Sequence, residues 1–334
     1  MTKSCVGICI GTSSLRIAVM AGGQIVQLAA EPLPENLVRD GQILSPEALS
    51  DELRSAARKY HISEKDAAVV LSLEETFTRR TTVPYMTVDE LKLNLPYEFH
   101  DYIPKDMDQY LYDYAVASTE KDENGKPQRL DLMIAAVRRE TIADHRRTLG
   151  KAGFRMRTAV PENFAYCNLL RDYEARTPGH PGEYCIVDLG HTGSRVHLYT
   201  GPVYETTRAI EYGGAALDAL IADEKHVDLH VAAKYKYANY EDVQNAPICR
   251  ELYGKIGVEI MRALNFYRYN NPDSALEDVY LCGGLTNVAP LTETIRSTLK
   301  DARLHLITEL MPAIDPAEQT VAVLTPAAVG ATMQ

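Results

Sequence analysis

Two short runs of the sequence hold residue types that could grip a phosphate. Cys9-Ile10-Gly11-Thr12-Ser13-Ser14 closes the first apolar run, and Asp188-Leu189-Gly190-His191-Thr192-Gly193-Ser194 closes a similar run in the second half. A tight Gly turn lets successive backbone N–H groups converge on an anion, and the hydroxyls of Thr12, Ser13, Ser14 and Thr192 add donors. Arg16 supplies positive charge if it points into the first turn and is a surface residue if it points away from the sheet. Gly213-Gly214 opens a helix whose N-terminus can face phosphates. Gly283-Gly284, with Asn287 close behind, follows the apolar run 278–282 and leaves room for a purine or ribose. An acid before a phosphate turn would hold Mg²⁺ through water or orient an attacking water. Asp188 has that place, although an Asp there can also cap its own turn. The corresponding residue of the first run is Cys9, between Ile8 and Ile10. A thiol is a poor Mg²⁺ ligand and stays neutral in apolar surroundings. The electrostatic part of phosphoryl transfer is therefore half missing, and nucleotide binding is expected to outlast fast turnover.

The elements that position these residues recur in order. Strands are expected at 5–11, 14–20 and 24–30, then a helix from Pro46 to His61 and a strand at 67–73. After the Pro/Gly-rich linker Arg176–Glu183 come strands at 184–190, 194–200 and 203–210, a helix from Gly213, a strand at 278–282, a helix at 290–300 and a strand near 304–308. This β-β-β-α order differs from a GxGxxG nucleotide half, which begins strand–helix. The reading is of two duplicated α/β domains, 1–175 and 176–334. The first carries an insertion at about 75–150, and the second a variable helical part at about 222–266. In the insertion, Thr87–Leu95 reads as a helix, and Leu91, Leu95, Phe99 and Ile103 are apolar residues open to either core or docking use. Helix Pro161–Tyr173 is expected to turn Phe164, Cys167 and one of Leu169 or Leu170 inward.

The formal net charge of −11 argues against a nucleic-acid surface. No apolar run approaches the roughly 20 residues of a membrane span. The opening MTKSCVGICIG has no signal-peptide h-region, so the expected compartment is the cytoplasm. The 6 cysteines lack CxxC spacing and read as buried small hydrophobes. His226 and His230, with Asp228 between them, read as a solvated face, because no further metal ligand is in sight.

At these residues the chain resembles the actin-like ATPase superfamily, whose fold is a pair of ribonuclease H-like domains shared by actin, Hsp70, sugar kinases and FtsA. Within it the chain is most similar to the PilM family of type IV pilus assembly. The resemblance rests on Cys9–Ser14 with Arg16, Asp188-Leu189-Gly190 with Thr192, Ile210–Gly214, Leu281–Leu285 with Asn287, and the AAVGA run Ala327–Ala331. Leu33–Ile43, Leu91–Pro104 with Tyr112-Asp113-Tyr114, Met133–Val137 and Gly153–Glu162 are more PilM-like than superfamily-like. The resemblance implies an FtsA/PilM-type insertion in the first domain. It also implies ATP and Mg²⁺ at Gly11–Ser14, Arg16, Asp188, Gly190, Thr192, Gly213, Gly214, Lys236, Gly283, Gly284 and Asn287. Lys236 matches the family's Glu-x-x-Lys helix, but Ala233 stands at the ribose-binding acid; with Cys9, this predicts weak or lost nucleotide binding and little or no ATPase activity. The implied role is a cytoplasmic adaptor of type IV pilus or related secretion machinery, peripheral at the inner membrane. It would grip the N-terminal peptide of a PilN-like membrane protein, meet other pilus-machine proteins and self-associate. The alternatives are an FtsA-like cell-division or filament-forming ATP-binding protein and an active kinase or ATPase.

Overall fold

The computed structural model describes residues 4–39, 41–103 and 106–333, and it divides into two compact units. The first comprises Met1–Asp172, Pro202–Glu205 and Ala327–Gln334, and the second Tyr173–Gly201 and Thr206–Pro326.

The first unit opens with β1 (Cys5–Ile10), β2 (Ser14–Ala21) and β3 (Gln24–Pro32), a meander set by the turns at Gly11 and at Gly22-Gly23. A short ribbon, β4 (Val38–Arg39) and β5 (Gln42–Ile43), leads to helix α1 (Pro46–Lys59). Pro46 occupies the first turn of α1, where no backbone donor is lost, and Leu49, Leu53 and Ala56 form the buried stripe. Strand β6 (Asp66–Leu71) is buried throughout. β7 (Thr76–Pro84), helix α2 (Val88–Asn94), β8 (Tyr110–Lys121) and β9 (Pro127–Arg138) follow. Then come α3 (Arg139–Ala152), β10 (Arg155–Pro161) and α4 (Glu162–Arg176). The main sheet has the order β10-β6-β1-β2-β3, with β1–β2 and β2–β3 antiparallel and β1–β6 and β6–β10 parallel.

The inserted subdomain is a three-stranded sheet, β7-β9-β8, covered by α2 and the turn of 3₁₀-helix after it. Its core joins Leu91, Leu95, Phe99 and Ile103 to Leu130, Leu132, Ile134 and Ala136 of β9. All four residues left open between core and docking use are therefore core. Between Val88 and Ile103 the exposed large apolar residues are Val88, Leu93, Tyr97 and Tyr102 instead. Helix α3 does not join that core. Leu149 and Ala152 pack with Leu49, Leu53 and Val69 of the main lobe. On α4, Leu169 and Leu170 are both buried, and Phe164 is only half-buried. Strands β7 and β10 have no counterpart in the sequence reading. Pro104 of the resemblance segment and Asp40 of Leu33–Ile43 lie outside the described residues.

The second sheet repeats the first. It is built from β11 (Glu183–Leu189), β12 (Ser194–Thr200), β13 (Val203–Ile210), β14 (Asp278–Cys282) and β15 (Arg303–Leu306) in the order β13-β12-β11-β14-β15. β11–β12 is antiparallel, and β11–β14 and β14–β15 are parallel. The duplication is thus one of topology: a three-stranded meander with two parallel strands added beside its first strand. Helices α5 (Gly214–Lys225), α6 (Leu229–Ala238), α7 (Pro247–Asn270) and α8 (Ala289–Thr298) cover one face, with Ile256, Ile260 and Leu264 on the core stripe of α7. The chain ends through α9 (Gln319–Ala322) and α10 (Pro326–Thr332). Helix α10 packs on the first unit by close backbone approach: a β-carbon on Gly7 would stand 1.8 Å from the Ala328 carbonyl oxygen, and one on Gly330 2.0 Å from that of Ala165.

Candidate functional site

The predicted residues fall into two half-sites, one on each sheet. In the first, β1 and β2 are in register with Cys9 opposite Arg16 and Ile10 opposite Leu15. The turn closes on itself, because Gly11 N–H donates to the Ser14 carbonyl at 2.9 Å. Gly11, Thr12, Ser13 and Ser14 are half-buried and Cys9 is buried. Of the two readings left open for Arg16, the structure takes the inward one. Its Nη2 folds back over the turn, 2.9 Å from where a β-carbon on Gly11 would stand.

The second half-site is more tightly built. A β-carbon on Gly190 would meet the Gly193 carbonyl oxygen at 2.6 Å, one on Gly193 the Ile210 oxygen at 2.8 Å, and one on Gly213 the His191 oxygen at 2.5 Å. Gly214 and Ala215 N–H donate to the Gly190 and His191 carbonyls at 2.9 and 2.8 Å, so the first amides of α5 are tied to the hairpin. Asp188 is buried at the end of β11, and its Oδ1 has no hydrogen-bond partner among the described residues. A β-carbon on Gly283 would lie 2.3 Å from that oxygen, so the bare backbone there, at φ +88°, makes the carboxylate's space. A buried carboxylate oxygen without a protein donor calls for a cation or water. Asp188 therefore fits water-mediated Mg²⁺, and Cys9 does not.

Lys236 is also brought to this half-site. Its Nζ lies 2.8 Å from Asp218 Oδ1, and both side chains are buried. The same Nζ is 3.4 Å, and His191 Nδ1 3.3 Å, from the place a β-carbon on Gly214 would take. Gln244 Nε2 donates to the Lys236 carbonyl at 2.6 Å. Its ammonium is thus neutralised within the chain. Thr192 and Asn287 are exposed, and Asn287 lines a separate groove of about 410 Å³ between α8 and β15, with Thr286, Arg296, His305 and Glu309. Asp218 and Tyr237 were missed in the sequence. Asp218 carried one signal, an acid one turn into a helix whose flanking positions, Leu217 and Ile221, are apolar.

Among the described residues no three His, Cys, Asp or Glu side chains form a direct metal cluster. Asp228 instead caps α6, accepting from Val231 N–H at 2.9 Å. Burial pushes the Cys167 thiol up to about 12 and the Cys249 thiol to about 11, which leaves both unreactive. No helix among the described residues is long and apolar enough to cross a membrane.

The duplicated sheets and their glycine hairpins define an actin-like ATPase-type fold. The chain belongs to the family described as type IV pilus assembly protein PilM, which it matches over residues 7–312. It is similar to a solved PilM-PilN type IV pilus biogenesis complex, with 23% identity over 100% of this chain and 98% of that one and a TM-score of 0.82. It is also similar to the ethanolamine utilization protein EutJ from Carboxydothermus hydrogenoformans, with 15% identity over 99% and 89% of the two chains and a TM-score of 0.62. These likenesses show the fold.

Proposed function

We propose that the protein is a cytoplasmic adaptor of type IV pilus or related secretion machinery, held at the inner membrane by a PilN-like partner whose N-terminal peptide it grips. Family membership across residues 7–312 carries this reading. The likeness to a PilM–PilN complex along the whole chain supports the choice of partner. The inserted subdomain, with Leu93, Tyr97 and Tyr102 exposed over a formed core, is the part assigned to docking. ATP turnover is negligible in this reading and Mg²⁺-ATP affinity low, since Cys9 replaces one acid and Ala233 another. Losing the acceptor for a ribose hydroxyl removes roughly 1–3 kcal/mol of binding.

The test is calorimetric titration with a synthetic N-terminal peptide of a PilN-like protein from the same organism, followed by hydrogen exchange. Binding with protection within residues 76–138 is expected. No binding, or protection confined to the second unit, overturns the reading. One observation favours a second reading, an FtsA-like ATP-binding protein: the unpartnered Oδ1 of Asp188. Micromolar Mg²⁺-ATP binding with phosphate release that disappears on Asp188→Ala would establish it.

A further inference from the structure

The two glycines after β14 differ in what surrounds them. Gly283 is enclosed by Asp188 and Leu189, whose backbone oxygen would lie 2.5 Å from an added β-carbon. Gly284 is clear of backbone: its nearest neighbour is a single side-chain atom, the Tyr237 hydroxyl, 3.1 Å from where a β-carbon would stand. The bare backbone that could receive a nucleoside is therefore covered chiefly by a phenol from the last turn of α6, with Leu324 Cδ2 further off at 4.0 Å. The ring is held loosely by a neighbouring ammonium. Lys236 Nζ lies 4.6 Å from the ring centroid, and that ammonium is held by Asp218. Burial of the hydroxyl end, and then the Asp218 carboxylate, push the phenol's pKa up, so it stays protonated and uncharged. The residue as a whole is 54% exposed, so the ring can swing outward without breaking a core.

We infer that Tyr237 is a gate over Gly284 that keeps a nucleoside out of the second half-site while leaving the phosphate hairpin at Gly190–Gly193 open to smaller anions. The inference rests on the reading of Asp188, Lys236 and Gly283-Gly284 as a nucleotide half-site. It assigns exclusion of the base to a residue outside every motif in the sequence. A cation–aromatic contact at a half-exposed ring is weak, so the ring covers the glycine and does not wall it off.

The experiment compares wild type, Tyr237→Ala and Tyr237→Phe by calorimetry with two probes, ADP and inorganic pyrophosphate. Tyr237→Ala is expected to bind ADP at least tenfold more tightly than wild type. Tyr237→Phe, which keeps the ring but lacks the hydroxyl over Gly284, is expected to fall between the two, and pyrophosphate to bind all three alike. Unchanged ADP affinity in Tyr237→Ala with pyrophosphate still bound overturns the gate and leaves the half-site standing. Weaker ADP binding in Tyr237→Ala also overturns it, because the ring would then be a stacking platform. Failure of both probes on all three proteins overturns the half-site reading, and the gate with it.

Discussion

Replacing Cys9 by Asp restores the acid that the first phosphate motif lacks, and the structure predicts that Arg16 captures it. Cys9 is 4% exposed and lies directly opposite Arg16 in the β1–β2 register, so the two side chains share one face of the sheet. A buried carboxylate without a partner costs several kcal/mol. A charged hydrogen bond to the guanidinium offsets about 1.5–3 kcal/mol of that, reduced somewhat by solvent because Arg16 is only half-buried. Cys9→Asp alone is thus expected to cost about 1–3 kcal/mol of stability, and the same change on an Arg16→Ala background about 3–5 kcal/mol. The difference, about 2 kcal/mol, stands well above the ~0.5 kcal/mol within which independent sites add. Urea denaturation of wild type, both single variants and the double variant measures it as a thermodynamic cycle. Calorimetry with Mg²⁺-ATP gives the functional readout: little gain for Cys9→Asp, and a larger gain once Arg16 is removed. An additive cycle, or full recovery of Mg²⁺-dependent binding by Cys9→Asp alone, would refute the reasoning.

Three further outcomes follow from packing and burial. Gly330→Ala puts a methyl 2.0 Å from the Ala165 carbonyl oxygen, so denaturation should show a loss toward or beyond the upper end of the usual ~1–3 kcal/mol for overpacking. Gly254→Ala, inside α7 with nothing within 4 Å of the new methyl, should instead gain about 0.5–1 kcal/mol in the same assay. His197 is fully buried, with Nδ1 2.9 Å from Thr207 Oγ1; burial and the Arg195 charge push its pKa down to about 3. The unfolded chain takes up a proton at this histidine near pH 6.5 and the folded chain does not, so stability is complete above pH 6.5. It falls by roughly 4–5 kcal/mol as pH drops toward 3, and His197→Gln should flatten that limb of a stability–pH profile measured by urea titration.

The hairpins and α1 were legible because each rests on local rules: alternation for the strands, a Pro in the first turn for the helix. β7 was not. TFTRRTTVP buries only its first Thr and Val83, since it is an edge strand of a small sheet and most of its side chains meet solvent. The stripe Leu91, Leu95, Phe99 was visible as a stripe, but only the packing of Leu130, Leu132 and Ile134 decides that it faces inward. Every decisive feature of the half-sites is likewise non-local. Arg16 folding onto Gly11 depends on a side-chain torsion, Lys236 meeting Asp218 depends on how α5 packs on α6, and Tyr237 reaches Gly284 from nearly fifty residues away.

That distinction bears on what glycine motifs say about activity. Gly190, Gly193, Gly213 and Gly283 each lack space for a β-carbon because backbone or a buried carboxylate lies within 3 Å of it. Any side chain there would force the hairpin, α5 or β14 to move, whether or not a phosphate ever arrives. The fold alone is sufficient reason for those glycines, and their presence carries little weight for catalysis. Positions 9 and 233 are under no such constraint. A buried thiol fits β1 at lower cost than a buried acid would, and Ala233 sits comfortably in a helix. Chemistry can therefore be lost at these two places without disturbing the scaffold. The place to look for a gain or loss of chemistry in this scaffold is therefore positions 9 and 233, and not its glycines.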